Sequence, residues 1–76
     1  MKTKGIKMSI DTFIKLYQVG LYTISDCMKS INDVIQTETN TWNVTNVDER
    51  IKAQNRLYKY GLSELRKAII YTEKEH

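Results

Sequence analysis

The sequence predicts an all-α protein built as an antiparallel hairpin of two long amphipathic helices. Three observations lead to this fold class. The 76 residues include no proline and only three glycines, so little in the chain interrupts a helix. Apolar residues recur at helical spacing in two long segments. A stretch rich in Thr and Asn, residues that favour loops and caps over helix interiors, separates the two segments.

The first helix is predicted over about residues 9–38, and residues 1–8 are expected to form a basic, flexible tail. Ser9 is a favourable N-cap for this helix. The apolar residues that follow are spaced by 4, 3, 4, 3, 4, 3 and 4 positions, which is an unbroken heptad pattern. This heptad seam consists of Ile10, Ile14, Tyr17, Leu21, Ile24, Met28, Ile31 and Ile35. A second apolar row widens the apolar arc to roughly 160°, so the helix should contact at least two others.

The second helix is predicted over about residues 46–74, after a loop at about residues 39–45. Asn46 and Glu49 form a capping box, and Thr45 with Asp48 is an equally acceptable register. Each helix would be about 42 Å long at 1.5 Å per residue, and matched lengths favour an antiparallel hairpin. The apolar stripe of the second helix consists of Val47, Ile51, Tyr58, Leu62, Leu65 and Ile69.

Self-association is expected because one hairpin cannot bury so wide an apolar arc. Two copies would pair as a homodimer that forms a four-helix bundle. Gly20 and Gly61 lie within the apolar arcs, where each would allow close packing of a neighbouring helix; a kink at Gly20 is the alternative. The residues expected at the self-association interface are Ile14, Tyr17, Leu21, Ile24, Met28, Ile31 and Ile35.

The composition argues against catalysis and against bound cofactors. Cys27 is the only cysteine, and its place at the edge of the apolar arc is typical of a buried core residue rather than a nucleophile. His76 is the only histidine and ends the chain, which argues against a zinc site. We therefore expect no enzyme activity, no metal, no cofactor and no small-molecule substrate.

The expected location is the cytoplasm of a bacterial host cell. The N-terminus carries lysines but lacks the apolar core of a signal peptide, and no apolar run approaches the 18 or so residues of a transmembrane helix. A membrane partner is not expected, because another helix would satisfy the heptad seam better than a lipid surface would.

Two groups of residues are candidates for binding a partner. Trp42, alone in a polar connection, either caps the end of the bundle or anchors a partner. Tyr22, Tyr60 and Tyr71 lie beside the apolar seams, where they could contact another molecule. The second group is a basic stripe on the outer face of the second helix, which could meet phosphates or an acidic protein surface, or could simply keep the protein in solution. It consists of Lys52, Arg56, Lys59, Arg66 and Lys67.

Two hypotheses of function follow. The first is a non-enzymatic protein–protein interaction module. A composition rich in Lys, Ile, Asn, Thr and Tyr is associated with AT-rich genomes, such as those of some bacteria and phages. On this basis we extend the hypothesis to an accessory protein of a phage or mobile element. It would inhibit or modulate a larger host protein, such as a defence or CRISPR effector. The alternative is a small helical regulator that binds nucleic acid through the basic stripe, although a net charge of +3 is mild for that class.

Overall fold

The computed structural model describes residues 3–42 and 45–74, which form three α-helices: α1 (Thr3–Gln18), α2 (Ile24–Asn40) and α3 (Val47–Lys74). The prediction of an all-α protein is confirmed, and the prediction of a two-helix hairpin is wrong. The second predicted helix is present as α3, whereas the first is divided into α1 and α2. The three helices pack as a bundle that measures 48 × 19 × 17 Å.

The chain reverses after α1 because Gly20 adopts the left-handed conformation, with φ of 85°. The Gly20 N–H donates to the carbonyl oxygen of Tyr17 at 3.1 Å, and the Leu21 N–H donates to that of Leu16 at 2.9 Å. These two bonds are the Schellman motif, which ends a helix at a left-handed residue. Close helix packing at Gly20 was therefore the wrong expectation, and no atom lies within 4 Å of the position where a Cβ would stand.

A capping box begins α2 immediately after this turn. The Asp26 N–H donates to the Thr23 hydroxyl oxygen, and the Thr23 N–H donates to the Asp26 carboxylate, both at 3.1 Å. These bonds to Thr23 also hold the pKa of Asp26 below its ordinary value, because they favour the ionised carboxylate. The segment 19–23 therefore ends α1 and, through the N-cap Thr23, begins α2.

The described part of the predicted tail belongs to α1, which begins at Thr3. Ile6 is buried in the core, and this burial explains why the helix extends so far toward the N-terminus. Ser9 is not an N-cap; its hydroxyl donates to the Gly5 carbonyl within the helix at 3.1 Å. At the other connection, Asn46 caps α3 by accepting from the Asp48 N–H at 3.0 Å. Lys2 and His76 lie outside the described residues.

The core lies along the axis of the bundle, and each helix contributes three buried apolar residues. These are Ile6, Ile10 and Ile14 from α1, Cys27, Ile31 and Ile35 from α2, and Leu57, Leu65 and Ala68 from α3. The backbone of α3 at Gly61 closely approaches side chains of both α1 and α2. A Cβ at this position would stand 2.9 Å from Cγ2 of Ile31 and 3.6 Å from Cδ1 of Ile10, so the expected close packing at Gly61 is confirmed.

The four-helix bundle made from two hairpins is also not what the chain forms. Dimerisation was expected because a hairpin leaves too much apolar surface uncovered, but three helices of one chain already enclose a core. The heptad seam is divided accordingly: Ile14, Ile31 and Ile35 are buried within the chain and Tyr17 is half-buried, whereas Leu21, Ile24 and Met28 are exposed.

A pair of alanine substitutions tests this division of the seam. Ile31 is 2 % exposed, so Ile31→Ala should lower the free energy of unfolding by about 2–5 kcal/mol through lost burial and a residual cavity. Ile24 is 41 % exposed, so Ile24→Ala should lower it by less than about 1 kcal/mol. Urea denaturation of both variants measures the difference, and equal losses would favour the unbroken seam instead.

Candidate binding surfaces

Polar contacts fix the register between α2 and α3. The Tyr58 hydroxyl donates to Oδ1 of Asn32 at 2.5 Å and accepts from Nε2 of Gln36 at 2.8 Å. Further along, Nε2 of Gln54 donates to the buried Thr39 hydroxyl oxygen at 2.7 Å. Residue numbers fall along α2 as they rise along α3, so the two helices are antiparallel.

The same contacts show which flanks of α2 and α3 face each other. Met28 lies one turn before Asn32, and Leu62 lies one turn after Tyr58, so both lie on these flanks. Ile51 lies on the flank of Leu62 as well, because 11 residues, about three turns, separate the two. The exposed apolar residues of these flanks form a row that we call the α2–α3 strip: Ile24, Met28, Val47, Ile51 and Leu62.

The strip is apolar surface that the core does not use. Leu62 is 50 % exposed, although Leu57 and Leu65 on the neighbouring face of α3 are at most 3 % exposed. Single exposed apolar residues are ordinary on protein surfaces. Here five lie on two adjoining flanks, in two groups separated by the polar contact of Tyr58: Ile24, Met28 and Leu62 on one side, and Val47 and Ile51 on the other. Exposed apolar residues that gather on one side of a molecule in this way are typical of interaction sites.

The basic stripe occupies the outer face of α3, away from the core. Its five cations are all exposed, and the 15 positions from Lys52 to Lys67 correspond to about 22 Å of helix. Lys67 forms an ion pair with Glu64 at 3.7 Å. Within residues 3–42 and 45–74, the other four cations of the stripe form no ion pair within 4 Å.

Tyr60 contacts α1 rather than standing free. Its hydroxyl donates to Oδ1 of Asp11 at 2.8 Å, and Nζ of Lys7 lies 5.2 Å from the centre of its ring. The hydrogen bond to the Asp11 carboxylate favours the neutral phenol and is the main reason that the pKa of Tyr60 rises to about 12. Tyr60 therefore joins α3 to α1.

Tyr22 and Trp42 are half-buried against the core, one at each end of α2. The Tyr22 ring stacks on Phe13 with 6.3 Å between ring centres. The carbonyl oxygen of Trp42 accepts from the Arg50 guanidinium at 3.4 Å. These positions match the capping role of Trp42 better than that of a projecting anchor.

Tyr71 is the most exposed of the four aromatic candidates, at 60 %. It borders a shallow groove of about 380 Å³ between α1 and α3, together with Asp11, Gln18 and Glu64. Because the groove is open to solvent and is lined by two carboxylates, it lacks the enclosed apolar interior that small-molecule sites have.

Chemistry-bearing side chains do not converge within the part of the chain that the structure describes. No cluster of three or more His, Cys, Asp or Glu residues there could hold a metal ion. Burial raises the pKa of the Cys27 thiol, which disfavours the reactive thiolate. Across the same residues, no helix has the length and apolar character that spanning a membrane requires.

Comparison of the chain with protein-family models, with curated proteins and with solved structures finds no match. The candidate surfaces therefore rest on their own geometry.

Sequence reasoning placed Ile24 and Met28 of the strip at a self-association interface and missed the α3 members of the strip as a binding surface. It placed Val47, Ile51 and Leu62 in the apolar stripe of the second helix and treated that stripe as buried. The detectable signal was that Val47, Ile51, Tyr58 and Leu62 recur at intervals of 4, 7 and 4, on a flank beside the core positions Leu57, Gly61 and Leu65. Asp11, the partner of Tyr60, could not be found in this way, because 49 positions separate the two residues.

The Tyr60–Asp11 hydrogen bond predicts a pH dependence. Because the pKa is raised in the folded state, the stabilisation from this bond is complete below pH 10, the ordinary tyrosine value, and is lost as pH rises toward about 12. Asp11→Asn removes the negative charge and should bring the pKa of Tyr60 back toward 10. Titration of the tyrosine ring signals by NMR measures both values, and an unchanged pKa in the variant would contradict the assignment.

Proposed function

We propose that this protein is a binding module that docks a partner protein on the α2–α3 strip. The observation that supports the proposal is the exposure of Ile24, Met28 and Leu62 beside a core that is closed without them. Burial of a fully exposed apolar side chain contributes about 1.5–3 kcal/mol, and these three are at most 50 % exposed, so each would contribute about half of that before the entropic cost of association is subtracted. A partner protein can cover such a strip; water cannot satisfy it.

The rest of the chain suits this role. The core and the polar bonds of Tyr58 hold α2 and α3 in one register, so the strip needs no rearrangement before it binds. An accessory protein of a phage or mobile element that inhibits a larger host protein would act through a surface of this kind. If the captured partner is a larger host protein whose activity falls when this chain binds, the inhibitory role is supported.

Site-specific photo-crosslinking in the cell of origin tests the proposal. A photoreactive phenylalanine at position 62 should form a discrete adduct with one protein, and Met28→Asp in the same chain should abolish the adduct. The matched control carries the photoreactive residue at position 70, because Ile70 is 46 % exposed, close to the 50 % of Leu62, but lies on the outer face of α3.

Three outcomes would contradict the proposal. They are no adduct at position 62, equal adducts at positions 62 and 70, and an adduct that survives Met28→Asp. An adduct of twice the mass of the chain would identify the partner as a second copy.

A second candidate function is nucleic-acid binding through the basic stripe. The observation that favours it is the exposure of five cations along about 22 Å of one helix face, a length that spans several phosphates. Lys52 and Arg56 lie at the end of the stripe far from Leu62 and about 100° and 140° around α3 from Ile51, so changing them tests this function without changing the strip itself.

Salt dependence decides this second candidate. If the stripe binds duplex DNA or RNA, affinity should fall as salt rises, and Lys52→Ala with Arg56→Ala should reduce the slope of log K against log salt by about 0.9 for each phosphate contact removed. Fluorescence anisotropy with a labelled duplex measures the slope. Absence of binding at about 50 mM salt would eliminate this function.

A further inference from the structure

We propose that the occupant of the α2–α3 strip is an amphipathic α-helix of the partner protein, with acidic residues beside its apolar face. This inference rests on the proposed docking function and adds the chemistry of the partner. The bound helix would lie along α3 in the groove between α2 and α3, as a fourth helix added to the bundle.

The shape and length of the strip fit a helix. The strip follows two antiparallel helices, whose adjoining flanks leave a groove in which a third helix can pack its side chains. From Val47 to Leu62 there are 15 positions, or about 22 Å of α3. An extended strand or a loop would present apolar side chains at other intervals, whereas a helix repeats them every three or four residues, as α3 itself does.

The charge beside the strip selects an acidic helix. Lys59 and Arg66 lie three positions before and four positions after Leu62, so they are its neighbours on the surface of α3. Lys29 follows Met28 on the outer side of α2. All three cations are exposed, and in the described part of the chain they form no ion pair within 4 Å.

The carboxylates near the strip do not offset Lys59 and Arg66 at its centre, because Asp48 and Glu73 lie at the two ends of α3. On α2, Asp26 and Asp33 lie three positions before and four positions after Lys29. After the hydrogen bonds to Thr23, the charge of Lys29 contributes to the lowered pKa of Asp26, so the selecting charge comes from α3. A partner helix with Glu or Asp beside its apolar residues would therefore meet cations along the middle of the groove.

A second copy of this chain fits the strip less well than an acidic helix does. In a symmetric contact each copy presents the same patch. Where Lys59 and Arg66 of the two copies come near each other, like charges disfavour association. An acidic helix meets the same two cations with opposite charge along its whole contact.

Binding of synthetic peptides tests the proposal with the full-length protein. One peptide of about 22 residues carries Leu at helical spacing with Glu on both sides of the apolar face. Its twin carries Lys in place of Glu. By fluorescence anisotropy at low salt, the Glu peptide should bind at least about tenfold more tightly than the Lys peptide, and added salt should narrow the difference.

Variants locate the binding. Leu62→Asp should reduce affinity for the Glu peptide at least about tenfold, whereas Ile70→Asp, which makes the same kind of change on the outer face, should leave it unchanged. Met28→Asp is a second strip variant on the other helix, so a folding defect in either one leaves the other informative. Lys59→Glu with Arg66→Glu should invert the preference in favour of the Lys peptide.

Several results would overturn the proposal: binding of neither peptide, equal binding of both, or equal loss in Leu62→Asp and Ile70→Asp. Binding to vesicles that contain phosphatidylserine, lost in Leu62→Asp and without binding of either peptide, would replace the acidic helix with an anionic lipid surface. A crosslink from position 62 to a protein in cells, together with no discrimination between the peptides, would leave the docking function standing and remove only this inference.

Discussion

The left-handed turn at Gly20 is the constraint on which the rest of this structure depends. If residues 19–23 continued the helix, Ile10 and Ile31 would lie 21 positions apart, about 31 Å along its axis. Instead, both residues lie within 4 Å of the place where a Cβ of Gly61 would stand. The reversal turns one long amphipathic segment into two antiparallel helices, and only then can α3 pack against both. A side chain at position 20 would meet no neighbour, so the requirement for glycine is conformational and not a matter of space.

The reversal also determines which apolar residues are left over. Three helices enclose one row of side chains from each, and the rows that face the axis are those of Ile10, Ile31 and Leu65 with their neighbours one turn away. Residues on the flanks are covered only where two helices meet closely. On the α2–α3 flank part of this cover is polar, because Tyr58 bonds to Asn32 and Gln36 there. The α2–α3 strip lies on either side of this polar contact and is the apolar surface that the arrangement leaves to solvent.

The sequence predicts much of the local structure and little of how the parts meet. Helical periodicity and capping residues identified the helical segments and the start of α3. Three residues of the predicted heptad seam, Ile14, Ile31 and Ile35, are buried in the core. The periodicity missed the break at Gly20 because it records only the spacing of apolar residues and not whether the helix is continuous. The spacing from Tyr17 to Leu21 to Ile24 fits a helix, although the chain turns between α1 and α2. The signals were present in Gly20 and in the Thr23–Asp26 capping box. Pairings such as Tyr60 with Asp11, or Met28 with the flank of Leu62, depend on a register that only the topology supplies.

The two candidate surfaces share α3, and their proximity bears on how binding would proceed. Lys59 and Arg66 belong to the basic stripe and also border Leu62, so they lie well within a Debye length of about 10 Å from the strip. Long-range attraction from exposed cations acts mainly on the rate of encounter, whereas burial of apolar side chains acts mainly on the rate of dissociation. On this helix the first would bring an acidic partner to the surface, and the second would hold it there. A partner helix without negative charge would lose the electrostatic attraction and keep the apolar burial. Charge is therefore what distinguishes among partner helices that are apolar on one face.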